Sequence, residues 1–136
     1  NPGNISFKRA LNSQIYVDKS GLIGFINSIL NTEQSFVAVS RARRFGKSMS
    51  LGLLTAYYSK GCDSRDLFKG LKAEALPSFE SELNKNDVIH VDLQAFRCFA
   101  RNIRCSYYTI CFNVLYFFVL RENFNRTSCS ICLYGY

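Results

Sequence analysis

The residues best suited to chemistry lie in one short basic segment, Ser40 to Ser48, which reads Ser-Arg-Ala-Arg-Arg-Phe-Gly-Lys-Ser. The closing Gly-Lys-Ser is the second half of the phosphate-binding pattern G-x-x-x-x-G-K-[ST]. Arg41 stands where that pattern has its first glycine, so the match is degenerate. The segment is therefore predicted to be a phosphate-binding loop, that is, a degenerate Walker A loop or P-loop.

Each residue type in this loop suits a phosphate or its metal ion. Gly46 would let the backbone come close to a phosphate, because glycine has no Cβ. Lys47 would neutralise β- and γ-phosphate oxygens, and Ser48 would offer its hydroxyl to Mg²⁺. Backbone N–H groups at the start of the following helix would add further donors. The predicted nucleotide-binding residues are Arg41, Arg43, Arg44, Phe45, Gly46, Lys47 and Ser48.

A strand and a helix must flank such a loop for it to bind phosphate. Phe36 to Val39 is a short apolar run that predicts a buried strand of the parallel type, and Met49 to Tyr58 has a helical pattern. Gly-Lys-Ser alone is common by chance, and an arginine-rich turn can simply be solvated surface. The strand before the loop and the helix after it favour the phosphate-binding interpretation.

Three segments together resemble the bacterial AAA-ATPase-like family of P-loop proteins. They are Ile15-Tyr16-Val17-Asp18-Lys19-Ser20, Phe36 to Ser40, and the loop from Arg41 to Ser48. Later segments that also resemble the family are Ala56-Tyr57-Tyr58, Asp66 to Leu71, and Val88 to Asp92. In family members the loop reads Arg-Pro-Arg-Arg-Phe-Gly-Lys-Ser, so Arg41 fits the family pattern and Ala42 replaces a proline. The resemblance covers residues 7–94 or so.

This resemblance implies an α/β fold, a partial P-loop NTPase-like domain with parallel strands flanked by helices. It also implies ATP and Mg²⁺ as cofactors, and ATPase chemistry in the full-length relatives. In those relatives the acidic segment that holds the metal comes later, on a strand that this sequence does not show, so catalytic residues stay unassigned. We expect a truncated member that binds nucleoside triphosphate with little or no hydrolysis on its own. Whether the chain is an enzyme, and whether it prefers ATP to GTP, stays open.

The charge of the chain supports an alternative function. The 136 residues carry a formal net charge of +7, which favours anionic partners, and four of the 17 basic residues lie between Arg41 and Lys47. A non-enzymatic nucleic-acid or anion-binding module built on this loop would show affinity that falls steeply with salt. No apolar run reaches the ~20 residues of a membrane-spanning helix. With no signal-peptide pattern, we expect a cytoplasmic protein without a membrane partner; the sequence does not indicate its oligomeric state.

Hydrophobic spacing predicts the remaining elements. They are a helix capped by Ser20 and running from Leu22 to Leu30, a strand from Ser35 to Ser40, a helix from Lys47 to Ser59, short helical turns at Ser64 to Lys69 and Phe79 to Leu83, and a strand from Val88 to Gln94. Gly61 suits the end of the second long helix. This order of elements predicts a βαβ unit with a right-handed crossover.

The composition changes after Gln94. We therefore divide the chain into 1–97, the N-terminal part of the AAA-ATPase-like domain, and 98–136, a divergent tail that holds five of the six cysteines. We interpret the tail as sequence past a frameshift or a misplaced gene end. A helix buried against the sheet, or a metal- or disulfide-binding module, is the alternative. The lone pair Cys129 and Cys132 lacks the second pair that a structural zinc site usually needs.

Three further groups have two interpretations each. His90 and Asp92 would share one strand face and could act as a base and its orienting carboxylate, or simply be polar groups on an exposed face. Asp18-Lys19 could line the nucleotide site, as the resemblance allows, or form a surface ion pair. Tyr57-Tyr58 could stack on a base, although a position in the core suits at least one of them.

Overall fold

The computed structural model describes residues 2–30, 32–40, 42, 44–92, 115–120 and 127–134. In these residues the helices are α1 (Ile5–Leu11), α2 (Gly21–Ile29), α3 (Lys47–Tyr58) and α4 (Phe79–Glu82). Two 3₁₀ turns, Arg65–Phe68 and Lys72–Ala75, lie between α3 and α4. The strands are β1 (Phe36–Ser40), β2 (Asp87–Asp92), β3 (Leu115–Leu120) and β4 (Thr127–Tyr134). The described part is therefore a mixture of helices and strands, as predicted.

The four strands form one mixed sheet in the order β1-β4-β3-β2. β1 pairs with β4 in parallel, and both β2 and β4 pair with β3 in antiparallel fashion. β1 and β2 therefore run in the same direction but are separated by two strands. β1 and β2, which α3 connects, are thus parallel but not neighbours, and one of the three strand pairs is parallel. The right-handed crossover of the predicted βαβ unit stays a prediction.

The exposure of β1 also corrects the sequence prediction. β1 lies at an edge of the sheet, and Phe36 at its start is 70% exposed. Exposed and half-buried residues alternate along the strand. Its run of apolar residues predicts burial on both faces, but the alternation shows that one face of β1 is exposed to solvent, because successive side chains of a strand point to opposite faces.

The core lies around the second half of α3. Every residue from Leu51 to Tyr58 is buried, so this part of the helix is covered on all sides. Tyr57 and Tyr58 are both fully buried, and Tyr57 contacts Phe68 and Phe79 in edge-to-face or tilted geometry. Both tyrosines thus belong to the core. A helix held in this way fixes the position of its own N-terminus, where the basic loop ends.

The sheet decides between some of the interpretations of the tail, residues 98–136. β3 and β4 fall within 98–136, and they lie between β1 and β2 in the sheet. A buried helix is therefore wrong for these strands, and Cys129 and Cys132 lie within an extended strand. The rest of the tail, including Cys98, Cys105 and Cys111, lies outside the described residues. That the tail arises from a frameshift stays a prediction.

The helix boundaries agree with the predictions to within a few residues, but one cap acts differently. Ser20 occupies the N-cap position of α2, yet its hydroxyl makes no bond to that helix. The Oγ of Ser20 instead accepts a hydrogen bond of 2.9 Å from the backbone N–H of Ala73. Helix α1, which no sequence pattern predicted, packs against α3 through Phe7. In the described part of the chain, no helix has the length and apolar character needed to cross a membrane.

Candidate phosphate-binding site

The loop before α3 has an unusual backbone. Gly46 is the N-cap of α3 and adopts the left-handed conformation, with φ of 73° and ψ of 25°. Arg44, two residues earlier, also has a positive φ, 67°, which is uncommon for a residue with a side chain. These two residues turn the chain sharply into α3. At a helix start the first backbone N–H groups lack partners within the helix, and groups of this kind can bind an anion.

Two lysine ammonium groups bond to carbonyl oxygens of this loop. Lys47 Nζ donates to the carbonyl oxygen of Ala42 at 2.8 Å, so its side chain folds back along the loop. Lys19 Nζ donates to the carbonyl oxygen of Phe45, also at 2.8 Å. Lys47 comes from the loop pattern itself, whereas Lys19 reaches the loop from the segment before α2. The structure therefore brings to one loop the side chains of two lysines that lie 28 positions apart in the sequence.

Gly46 is required here for a steric reason as well as for its φ. A Cβ built on Gly46 would lie 2.6 Å from Lys19 Nζ, closer than any real contact of this kind. Any other residue at position 46 would therefore displace the ammonium group of Lys19. The absence of a side chain at Gly46 creates the space in which Lys19 approaches the loop.

The neighbouring Asp18 holds the Lys19 segment in place. Its carboxylate accepts hydrogen bonds from the backbone N–H groups of Ser20, at 2.8 Å, and of Lys72, at 2.9 Å. Burial would raise the pKa of Asp18, but the bonds from Lys72 and Ser20 outweigh it, and the pKa lies below its ordinary value. Asp18 and Lys19 thus bind backbone groups in different parts of the fold. Asp18 anchors the segment, and Lys19 extends from it to the loop.

Ser48, the predicted magnesium ligand, lies in the first turn of α3. It is exposed and lines a cavity of about 250 Å³ together with Ser6, Thr55 and His90. The Thr55 hydroxyl is buried and has no hydrogen-bond partner within the described part of the molecule. This places His90 of β2 across the cavity from the first turn of α3, a proximity that the sequence did not show. The side chain of Asp92 lies outside the described residues, so its pairing with His90 stays a prediction.

The remaining predicted loop residues divide into two groups. Arg44 and Phe45 are described, and Phe45 is 64% exposed. Arg41 and Arg43 lie outside the described residues, and their part in the site stays a prediction. Sequence reasoning gave Lys19 only as one of two open interpretations. Its signal was the Tyr-Val-Asp-Lys-Ser segment, but no spacing rule connects that segment to the loop.

Comparison with known proteins settles the family. A family model described as predicted AAA-ATPase matches residues 3–124 of the chain. The chain belongs to the AAA-ATPase-like family. The match includes α1, the Lys19 segment, the loop and β2. No curated protein and no solved structure matches the chain significantly.

The extent of this match corrects one expectation. The motifs that resemble the AAA-ATPase-like family end near Gln94, but the family model continues to residue 124 and so includes β3. The change of composition after Gln94 therefore does not coincide with the end of the family match. The domain boundary at residue 97 stays a prediction.

Proposed function

We propose that this AAA-ATPase-like chain binds ATP with Mg²⁺ through its degenerate Walker A loop. The backbone N–H groups from Arg44 to Ser48 would surround the phosphates. Lys47 would neutralise the β- and γ-phosphate charge, and Ser48 would bind the metal through its hydroxyl. A bound Mg²⁺ would offset the negative charge of the phosphates.

One observation carries this proposal. Two lysine ammonium groups bond to carbonyl oxygens of the loop, which leads into α3 at Gly46, a glycine in the left-handed conformation. Lys19 and Lys47 both donate to neutral carbonyl oxygens of the loop. A phosphate oxygen is a charged acceptor, and charge-assisted hydrogen bonds are roughly twice as strong as neutral ones. A phosphate at this place would therefore draw both ammonium groups from the carbonyls. The ammonium group of Lys19 lies in the space that a Cβ at Gly46 would need, so it is already close to the loop backbone that would surround the phosphates.

Hydrolysis is proposed to be slow or absent in this chain on its own. P-loop enzymes need an acid that holds Mg²⁺ and a group that positions the attacking water. Of the described residues that line the cavity beside Ser48, none is a carboxylate. His90 lines that cavity, but an imidazole does not replace a metal-binding carboxylate.

The test is a calorimetric titration with nucleotide at fixed ionic strength. ATP binding should require Mg²⁺, should be at least tenfold tighter than AMP binding, and should be lost in Lys47→Ala. Lys8→Ala is the matched control, because Lys8 is an exposed lysine on α1 that does not line the cavity beside Ser48. Equal affinity for ATP and AMP, or unchanged affinity in Lys47→Ala, would contradict the proposal. Repeated ATP turnovers that Lys47→Ala abolishes would contradict the proposed lack of hydrolysis.

The same titration distinguishes nucleotide binding from the alternative function, which is nucleic-acid or anion binding. A nucleic-acid or anion binder would bind a polynucleotide in preference to ATP, and its log affinity would fall linearly with log salt concentration. Binding of ATP that depends on Mg²⁺ and exceeds polynucleotide binding at physiological salt favours the nucleotide function.

A further inference from the structure

A second cavity adjoins the loop, and Ser48 does not line it. It has a volume of about 260 Å³ and lies between the segment Ile15 to Lys19 and the loop with the start of α3. Phe45 and Met49 line it from the loop side. Lys19 belongs both to this cavity and to the loop, because it bonds the Phe45 carbonyl. The cavity is thus continuous with the candidate phosphate site.

The lining of this cavity is unusually apolar for exposed surface. Eight large apolar side chains are exposed in the described part of the chain, and four of them meet here. These are Ile15 (81% exposed), Val17 (63%), Phe45 (64%) and Met49 (39%). Grouped exposed apolar side chains commonly mark a binding site, whereas scattered ones need no explanation. The grouping beside two cations that also line the cavity, Lys19 and Arg44, indicates a ligand with one apolar face and one anionic end.

The volume limits what this ligand could place in the cavity. Sites for whole small molecules usually measure about 300–1,000 Å³, so a cavity of this size suits one part of a ligand. A nucleobase is flat, has two apolar faces, and stacks well on an aromatic ring such as Phe45. The phosphates attached to it would extend past Lys19 to the loop.

We propose that this cavity is the base subsite of the nucleotide site, and that Phe45 is the residue on which the base stacks. This inference rests on the proposed function, because it takes the loop as the phosphate site. Val17 and Met49 would pack against the base, and Lys19 would lie at the junction between base and phosphates. Binding through stacking and apolar contact gives little discrimination among bases, so ATP and GTP should bind with similar affinity, within about fivefold.

The experiment compares ATP with inorganic tripolyphosphate, which has the phosphates but no base. Both are titrated in the presence of Mg²⁺ into the wild-type chain, Phe45→Ala and Phe25→Ala. Phe25→Ala is the matched control, because Phe25 is also a half-exposed phenylalanine but lies on α2, outside the cavity. Phe45→Ala should weaken ATP binding by about tenfold or more, as expected for the loss of one base–aromatic stack, and should leave tripolyphosphate binding within twofold. Phe25→Ala should change neither.

Three results would overturn the base subsite. Wild-type chain that binds tripolyphosphate as tightly as ATP has no base subsite. Equal weakening of both ligands by Phe45→Ala means that Phe45 shapes the phosphate loop only. If the wild-type chain binds neither ATP nor tripolyphosphate, both the proposed function and the base subsite are refuted. This result can be told from the first two, because in those the wild-type chain still binds tripolyphosphate.

Discussion

Replacement of Gly46 by alanine tests the role of the loop backbone most sharply. Alanine would have to adopt a φ of 73°, and its Cβ would lie 2.6 Å from Lys19 Nζ. The left-handed conformation costs an L-residue about 1–2 kcal/mol. Displacement of Lys19 would cost about 0.5–1 kcal/mol more, since its bond to the Phe45 carbonyl is exposed to solvent.

Gly70 provides a matched control for the strain alone. It has a φ of 75°, nearly the same as Gly46, but a Cβ added there would have no neighbour within 4 Å. Gly70→Ala should therefore lower the free energy of unfolding by about 1–2 kcal/mol. Gly46→Ala should lower it by that amount plus the Lys19 contribution. Urea denaturation of the two variants measures the difference directly.

Ligand binding separates the two variants further. Gly46→Ala should weaken ATP binding at least tenfold, about 1.4 kcal/mol, because both the loop backbone and Lys19 move away from the phosphates. Gly70→Ala should bind ATP like the wild-type chain. In the Lys19→Ala background the extra stability cost of Gly46→Ala should disappear, which a double-mutant cycle would show. If Gly46→Ala binds ATP normally, or if the cycle shows no coupling, the loop does not work as we describe.

Three further predictions concern the framework that holds the loop. Ser20→Ala should lower the free energy of unfolding by about 1–3 kcal/mol, because the buried N–H of Ala73 would lose its acceptor. The control Ser28→Ala, on the exposed face of α2, should change the free energy of unfolding by less than about 0.5 kcal/mol. Urea denaturation midpoints check both variants. Burial raises the pKa of Tyr57 to about 12. The contribution of Tyr57 to the free energy of unfolding is therefore fully present below pH 10 and is lost as the pH rises from 10 to 12. Thermal melts across that range should show that the melting temperature falls less steeply with pH in Tyr57→Phe than in the wild-type chain. Burial acts to raise the pKa of Asp18, but its bonds to backbone N–H groups lower it overall. The contribution of Asp18 to the free energy of unfolding is therefore present above pH 3.8 and is lost as the pH falls below that value. In acid, the free energy of unfolding should fall less steeply with decreasing pH in Asp18→Asn than in the wild-type chain.

The sequence was sufficient for the local elements near the loop. The spacing of apolar residues predicted α2 to within a residue at each end, because its one buried face leaves a 3–4 period. The start of α3 was predicted from the Gly-Lys-Ser motif that precedes it, although this helix is buried on all sides from Leu51 onward. The glycines at the ends of elements were also informative: Gly61 follows α3 with a φ of 87°, and Gly46 precedes it with a φ of 73°. These features depend on neighbours in the chain, which a sequence shows directly.

The contacts between distant segments could not be predicted in the same way. Whether β1 is an edge or a central strand depends on which strand pairs with it, and its partner β4 lies about 90 positions later. Lys19 reaches the loop only because Asp18 is held by the backbone of Lys72, another long-range contact. Ser20 looked like a helix cap, but its hydroxyl bonds to Ala73 across the fold. Each of these depends on tertiary packing, which no local pattern records.

The most direct test of the central claim is a thermal melt with and without Mg·ATP. Ligand at about 100 times its dissociation constant adds about 2.7 kcal/mol to the native state, which shifts the melting temperature of a domain of this size by several degrees or more. We predict that shift for the wild-type chain and for Lys8→Ala, and no shift for Lys47→Ala. A wild-type melt that Mg·ATP leaves unchanged, or an equal shift in Lys47→Ala, would contradict nucleotide binding through this loop.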